Sequence, residues 1–353
     1  MSYNKQTSLA ANVEAIETAV KIHVQGRKAM AKEKETLSRY SGFGGIKEVL
    51  NIGTDNPLPD NMAEPMNRLQ KALRTLAGGE ETMYRKLTDS LKASVLTAFY
   101  TPQFLVDAVA RQIRAAFTEY GLPMRSLLEP SAGIGAALPD TRRYAFEKDC
   151  ISGLILSLLH DDTTTVIDGF ETIGGQDFGH TTFDVIASNI PFGDFRVFDA
   201  DLWKKGGIYE RSTKTIHTYF FVKAMEQLAE GGLLAFVTSR GVADTPGNKF
   251  VREYLVGHAD LISAIRLPDA LFLPTSGIEV GSDLLVFQKH TGKAALSLRE
   301  KMFLQSVREK ADATGIVTEP ANRLFSLPKT SLATDSRIVV NRYGKQVRKY
   351  QWV

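Results

Sequence analysis

The chain has 353 residues, 43% hydrophobic and 24% charged, the make-up of a globular protein with a sizeable core rather than a disordered or fibrous one. Its net charge is only +3, so any nucleic-acid contact must come from local basic patches. Cys150 is the only cysteine, which excludes an intrachain disulfide; no apolar run approaches the roughly 18–20 residues of a membrane span, and Met1 to Ala11 lacks the apolar core of a secretory signal, so a cytoplasmic protein is expected.

Residues 1–95 read as a helical N-terminal region. Val13, Ile16, Ala19 and Val20 recur at helical spacing, and the charged run around Lys32-Glu33-Lys34-Glu35 reads as a solvated helix face. Tyr40-Ser41-Gly42-Phe43-Gly44-Gly45 is a glycine-rich break. It reads as a turn between helices, or as main-chain amides and Phe43 closing over a ligand. Asn51 to Pro65, rich in Asn, Asp and Pro, reads as a loop, and Met66–Ala77 and Glu81–Leu96 as further helices.

Residues 96–290 change texture to short apolar runs alternating with helical patterns, the signature of a doubly wound α/β sheet. The strands expected are Ser126–Glu129, Tyr144–Glu147, Thr164–Ile167, Asp184–Ser188, Leu233–Thr238, Leu261–Arg266 and Asp283–Gln288. The helices expected are Pro102–Glu119, Cys150–His160, His217–Ala229 and Lys249–Val256. Residues 291–353 form a third region. It has a helix over Ala295–Ala311 and a tail in which Arg337, Arg342, Lys345, Arg348 and Lys349 mix with Tyr343, Tyr350 and Trp352. Such a tail suits nucleic-acid contact, or reads as a solvated or partner-docked tail.

Four turns carry chemistry. The first strand runs into Glu129-Pro130-Ser131-Ala132-Gly133-Ile134-Gly135, whose small residues let a ligand approach the main chain; a three-glycine dinucleotide fingerprint is absent. Glu147 ends the second strand, where a carboxylate can accept hydrogen bonds from ribose hydroxyls. Asp168-Gly169-Phe170-Glu171 ends the third, with Phe170 either beside an adenine ring or in the core. The fourth strand, with Val185, Ile186 and Ala187, ends in Asn189-Ile190-Pro191-Phe192-Gly193. There an amide oxygen, a stiffened turn and a π face suit a flat, amino-bearing base. The six histidines are scattered, so no metal site is expected.

In this order the segments resemble the gamma-order N6-adenine DNA methyltransferases, which use S-adenosylmethionine and share the class I Rossmann-like fold with a seven-stranded, mostly parallel sheet. The resemblance covers roughly Leu37 to Lys289. It assigns the catalytic tetrapeptide to Asn189, Ile190, Pro191 and Phe192. It assigns the cofactor site to Tyr100 and Thr101 of Phe99-Tyr100-Thr101-Pro102, to Glu129, Ser131, Ala132, Gly133 and Gly135, to Glu147 with Lys148, to Phe170 and to Asn189. Ile216-His217-Thr218-Tyr219-Phe220-Phe221, Gly231-Gly232 and Gly277-Ile278-Glu279-Val280-Gly281-Ser282-Asp283 resemble the methylase part of phage and conjugative-element methylase–helicase proteins, as does the Tyr40–Gly45 segment. The resemblance implies a site-specific adenine methyltransferase of bacterial, phage or mobile-element origin, acting on DNA beside a helicase or specificity partner, away from membranes.

Two departures stand out. Ile190 replaces the first proline of the usual tetrapeptide but keeps the main-chain carbonyl that the family uses, and Pro191 biases residue 190 toward an extended conformation. Gly169 stands where many relatives carry an acid for the cofactor's adenine amine, leaving Asp168 or Glu171 to supply it. Gly135 to Tyr144 leaves room for only a short first helix. The loop from Gly193 to Lys214 carries Arg196, Lys204, Lys205, Arg211 and Lys214, the expected phosphate contacts, beside Phe195, Phe198, Trp203 and Tyr209. A lid without a nucleic-acid role is the rival reading. Asn-x-Pro-aromatic turns also serve methylation of RNA amines and protein glutamine, and a non-catalytic cofactor-bound scaffold is a further alternative.

Overall fold

The computed structural model describes residues 3–54, 58–95, 100–119, 124–135, 141–308, 319–340, 344 and 346–352. Helices α1 (Lys5–Val24), α2 (Ala31–Leu37), α3 (Asp60–Leu76), α4 (Glu81–Ser94) and α5 (Gln103–Glu119) precede β1 (Ser126–Glu129). Alternation follows: β2 (Arg142–Phe146), α6 (Cys150–Leu159), β3 (Thr163–Val166), β4 (Phe183–Asn189), α7 (Ala200–Lys205), α8 (Gly207–Ser212), α9 (Ile216–Gln227) and β5 (Leu228–Ser239). Next come α10 (Gly241–Asp244), α11 (Lys249–His258), β6 (Ala259–Arg266), α12 (Leu273–Ser276) and β7 (Ser282–Lys289). The C-terminal region holds α13 (Leu298–Phe303), β8 (Ser306–Val307), β9 (Ala321–Asn322), β10 (Asp335–Val340) and β11 (Gln346–Gln351). No described helix is long and apolar enough to cross a membrane.

The seven expected strands form one sheet in the order β3-β2-β1-β4-β5-β7-β6. Pairings β2 with β3, β1 with β4 and β4 with β5 are parallel, while β7 runs antiparallel to β5 and β6. This is the α/β fold that the alternation predicts. The apolar runs of β1, β4 and β5 are buried because helical crossovers cover a parallel sheet on both faces.

The structure corrects four elements. Helix α3 begins at Asp60, inside the stretch expected as loop; Pro65 lies in its second turn, where the missing N–H forfeits one main-chain bond without stopping the helix. The helix expected over Ala295–Ala311 is only α13, started by the reciprocal Ser297–Glu300 capping box and followed by β8; residues 309–311 lie outside the described residues. The expected loop after the Asn189 turn contains α7 and α8. The tail forms the antiparallel hairpin β10–β11.

By contacts the chain divides into two units, each described on its own. The first comprises Met1–Ala110, Glu129–Gln176 and Phe272–Ile278. Its core joins Leu9, Val13 and Ile16 of α1 to Leu69 and Leu73 of α3 and Ile151 and Ile155 of α6. Tyr40 and Phe43 of the glycine-rich break are buried in this core, edge-on with ring centres 6.1 Å apart. Buried Asn12 holds the break, accepting from the Ser41 N–H at 2.8 Å and donating to the Gly42 carbonyl.

The second unit comprises Arg111–Leu128, Asp177–Leu271 and Glu279–Val353. Its tail is part of its packing. The Arg266 main chain donates to Thr330 and accepts from Leu332, and the Asp269 N–H donates to the Tyr350 carbonyl. Arg240 and Arg266 lie over the Tyr350 ring at 5.5 and 5.0 Å from its centre. Tyr350 is thereby committed to this packing, and Lys349 pairs with Glu279. Arg342, Tyr343 and Lys345 lie outside the described residues.

Candidate active site

In the first unit, the turn after β1 is shaped around glycine. Gly133 has φ +59°, and a Cβ there would sit 2.6 Å from Cε1 of Tyr100. Gly135 has φ +78°, and its Cβ would meet Leu156 at 2.7 Å. Glu147 secures the turn: one carboxylate oxygen accepts the Gly133 N–H at 2.7 Å and the other the Asp149 N–H at 2.8 Å. Burial, and then the charge of Asp149, push the Glu147 carboxyl up to about 7 against the pull of these N–H groups.

Residues that the sequence reading did not single out support this turn. Asp149 caps α6, accepting the Ser152 N–H at 2.9 Å, the Ser152 hydroxyl at 2.6 Å and the Ser90 hydroxyl at 2.8 Å. Ser152 in turn accepts from the Tyr100 hydroxyl at 3.2 Å, and the Tyr40 hydroxyl lies 3.4 Å away. Burial raises both phenols well above their ordinary range, so they act as neutral hydrogen-bonding groups. The Asp before the apolar run Cys150–Leu159 is a readable cap signal. The Ser90 and Tyr40 contacts join segments far apart in the chain and leave no local signal.

After β3, Phe170 is 2% exposed and edge-on to Phe146 at 5.9 Å, so its ring belongs to the wall of the unit. A Cβ on Gly169 would lie 2.2–2.4 Å from the carboxyl atoms of Glu171. The Glu171 carboxylate therefore occupies the space that a side chain at 169 would take, and Lys148 fixes it at 2.7 Å. Thr101, Glu129, Ser131 and Ala132 are half-buried around the glycine turn. Phe99 lies outside the described residues, as do residues 136–140 of the expected short helix. The glycine turn beside Tyr100, the Glu147 carboxylate bonded to it and the Glu171 carboxylate after β3 offer a surface and acceptors that fit a nucleoside bearing hydroxyls and an amine.

In the second unit, the Asn189 turn is built by the sheet. Asn189 pairs in register with Val237 of β5, and the Ile190 N–H donates to the Val237 carbonyl at 3.0 Å. A proline at 190 could not make that bond. The Ile190 side chain is 1% exposed, so the apolar residue is spent on packing while its main chain forms the turn. Pro191 and Phe192 are half-buried. At the start of β4, Asp184 accepts from the Arg125 and Ser126 main-chain N–H groups at 2.8 and 3.0 Å, which fixes the β1–β4 pairing.

His217 has no role of its own in the sequence reading, which names it only within the Ile216–Phe221 motif. It is buried, its Nε2 lies 3.3 Å from both Thr215 Oγ1 and Asn248 Nδ2, and burial lowers its pKa. A neutral imidazole thus packs behind the segment that follows the turn.

That segment is anchored. Asp199 caps α7, accepting the Asp201 and Leu202 N–H groups at 3.0 and 2.9 Å. Its other oxygen receives Lys223 at 2.8 Å and the Tyr219 hydroxyl at 3.1 Å from α9. Burial works against the Asp199 charge, and Lys223 reverses that to hold its pKa below the ordinary value. Arg196, Lys204, Lys205, Arg211 and Lys214 are all exposed. Lys205 pairs with Glu226, and Arg211 lies over Phe250 at 4.0 Å. Among the described residues, Arg196, Lys204 and Lys214 make no ion pair.

The family model of N-6 DNA methylases matches residues 83–318, a span that takes in the glycine turn, Glu147 and the Asn189 turn. The chain belongs to the N-6 DNA methylase family. The chain is 26% identical over 204 residues to Defense against restriction protein B of Escherichia phage P1. That match covers 57% of the chain but only 9% of the phage protein. Among solved structures, the chain is similar to the type I restriction-modification system methyltransferase subunit from Streptococcus thermophilus, with 11% identity and a TM-score of 0.46 over 81% of this chain and 79% of that one. It is also similar to the ATP-dependent Type ISP restriction-modification enzyme LlaBIII bound to DNA, with 12% identity and a TM-score of 0.49 over 97% of this chain and 28% of that one.

Proposed function

We propose that this methylase transfers the methyl group of S-adenosylmethionine to the exocyclic N6 amine of adenine in DNA. The observation that carries the reading is the Asn189-Ile190-Pro191-Phe192 turn closing β4 within the span matched by the family model. When bound, the cofactor supplies a methyl group on a positively charged sulfur that departs as a neutral thioether.

The chain's own residues supply positioning. Gly133 and Tyr100 cradle the methionine end, Glu147 accepts the ribose hydroxyls, and Glu171 accepts the adenine amine in place of a side chain at 169. The adenine N6 lone pair is delocalised into the ring, which makes it a poor nucleophile. The Asn189 side-chain oxygen and the Ile190 carbonyl accept the two amine hydrogens, favour a pyramidal nitrogen and share the positive charge that develops on it. One of those hydrogens then leaves as a proton to solvent water. Held acceptors and fixed orientation account for most of the rate gain, because they need no reorganisation during the reaction. Phe192 stacks on the target base, offsetting part of the few kcal/mol needed to take it out of a duplex.

The finer placement in the gamma order rests on Phe99-Tyr100-Thr101-Pro102, Glu129–Gly135, Glu147 and the Asn189 tetrapeptide in that order, and a helicase partner on the motifs from Ile216 to Asp283. Incubation with labelled S-adenosylmethionine and a mixture of DNA, RNA and protein, followed by identification of the labelled atom, tests the proposal. Label on adenine N6 of DNA is expected. Label on an RNA amine or a glutamine side chain would replace the substrate, and cofactor binding with no transfer to any of the three would leave a scaffold.

A further inference from the structure

The anchored segment after the Asn189 turn carries an exposed aromatic pair. Phe198 is 73% exposed and Trp203 46%, with ring centres 5.8 Å apart and planes at 54°. Phe195, 44% exposed, lies over Gly193, where a Cβ would come within 2.6 Å of its ring. Single exposed aromatics are ordinary, but three within nine residues on pinned backbone are not. The pinning is specific. The Val197 N–H donates to the Thr213 carbonyl at 3.0 Å, the Trp203 indole donates to Thr213 Oγ1 at 3.1 Å, and Asp199 between them is held by Lys223. Burying Asp199 also removes an acid from the surface. The exposed charges of residues 193–214 are then Arg196, Lys204, Lys205, Arg211 and Lys214 against Asp194, Asp201 and Glu210.

We infer that Phe198 and Trp203 form a stacking platform for unpaired bases of the substrate strand, with Arg196, Lys204 and Lys214 meeting its phosphates. This rests on the nucleic-acid reading above and deepens it, because it makes the preferred substrate locally single-stranded. A base face stacks on an exposed ring whatever its sequence, whereas a closed duplex keeps its faces covered. The cations alone would serve either form.

The test measures binding of a fluorescently labelled oligo-dT single strand and of a blunt duplex to the full chain, across a salt series. Variants are Phe198→Ala, Phe198→Tyr and Lys204→Ala. Phe198→Ala is expected to weaken single-strand binding by about tenfold to a hundredfold, the scale of losing one stacked base. It should leave duplex binding and the salt slope unchanged, and Phe198→Tyr should restore affinity. Lys204→Ala should instead reduce the salt slope by roughly one charge. Single-strand binding by Phe198→Ala equal to the parent overturns the platform, and is the result expected if the patch seats a protein subunit. Equal losses on both DNA forms overturn it too. A parent chain that binds neither form overturns the DNA reading along with the platform, which separates the two failures.

Discussion

The glycine turn of the first unit and the Asn189 turn of the second both follow parallel strands, yet they are held by different materials. Side chains hold the glycine turn: Glu147 bridges Gly133 to Asp149, and Asp149 reaches Ser90 and Ser152. Sheet hydrogen bonds hold the Asn189 turn, through the Asn189–Val237 register and the Ile190 N–H. A turn held by a buried carboxyl titrates, while a turn held by main chain does not. The difference predicts that cofactor binding responds to pH and to single side-chain changes, whereas the geometry around Asn189 resists them.

The largest effect expected on the second unit is at its anchor rather than its turn. Lys223→Met leaves the buried Asp199 carboxylate unpaired and should lower unfolding stability by about 3–5 kcal/mol, read by denaturant titration. Stability unchanged by this substitution would mean that α7 and α8 are held otherwise. Gly133→Ala comes next in the first unit. The left-handed backbone costs about 1–2 kcal/mol and the added carbon meets Tyr100, so cofactor affinity measured by calorimetry should fall at least about tenfold. Gly78→Ala is the control, since Gly78 has φ +61° but nothing within 4 Å of its Cβ; it should carry the backbone cost without a change in affinity.

The smallest effect is the titration of Glu147. Its carboxyl is raised from 4.5 to about 7, so the fold binds this proton more tightly than the unfolded chain. The stability it contributes is fully present below about 4.5 and is lost as pH rises toward 7. On the proposed reading, in which the ionised form accepts the ribose hydroxyls, cofactor affinity runs the opposite way: it should weaken by up to about tenfold per pH unit below 7. Glu147→Gln should flatten both profiles, and a pH dependence that survives the substitution would reassign it to another group.

Much of this architecture is legible in the residues themselves. All seven sheet strands and the four following turns can be read because apolar runs bounded by turn residues are local signals. Helix α3 is missed at its start because Pro65 imitates a loop, and α7 because its cap, Asp199, is stabilised by Lys223 from a distant helix. The Glu171 carboxylate over Gly169 and the commitment of Tyr350 beneath two arginines are likewise products of tertiary contact. Side-chain roles that depend on partners far along the chain leave no periodicity to find.

The most direct measurement is single-turnover methyl transfer by the Asn189→Ala chain beside cofactor affinity for the same preparation. Parent-like cofactor binding is expected, with transfer to adenine slowed by at least about a hundredfold, the scale of losing one positioned polar contact in a reacting site. Transfer at the parent rate would contradict the role proposed for Asn189.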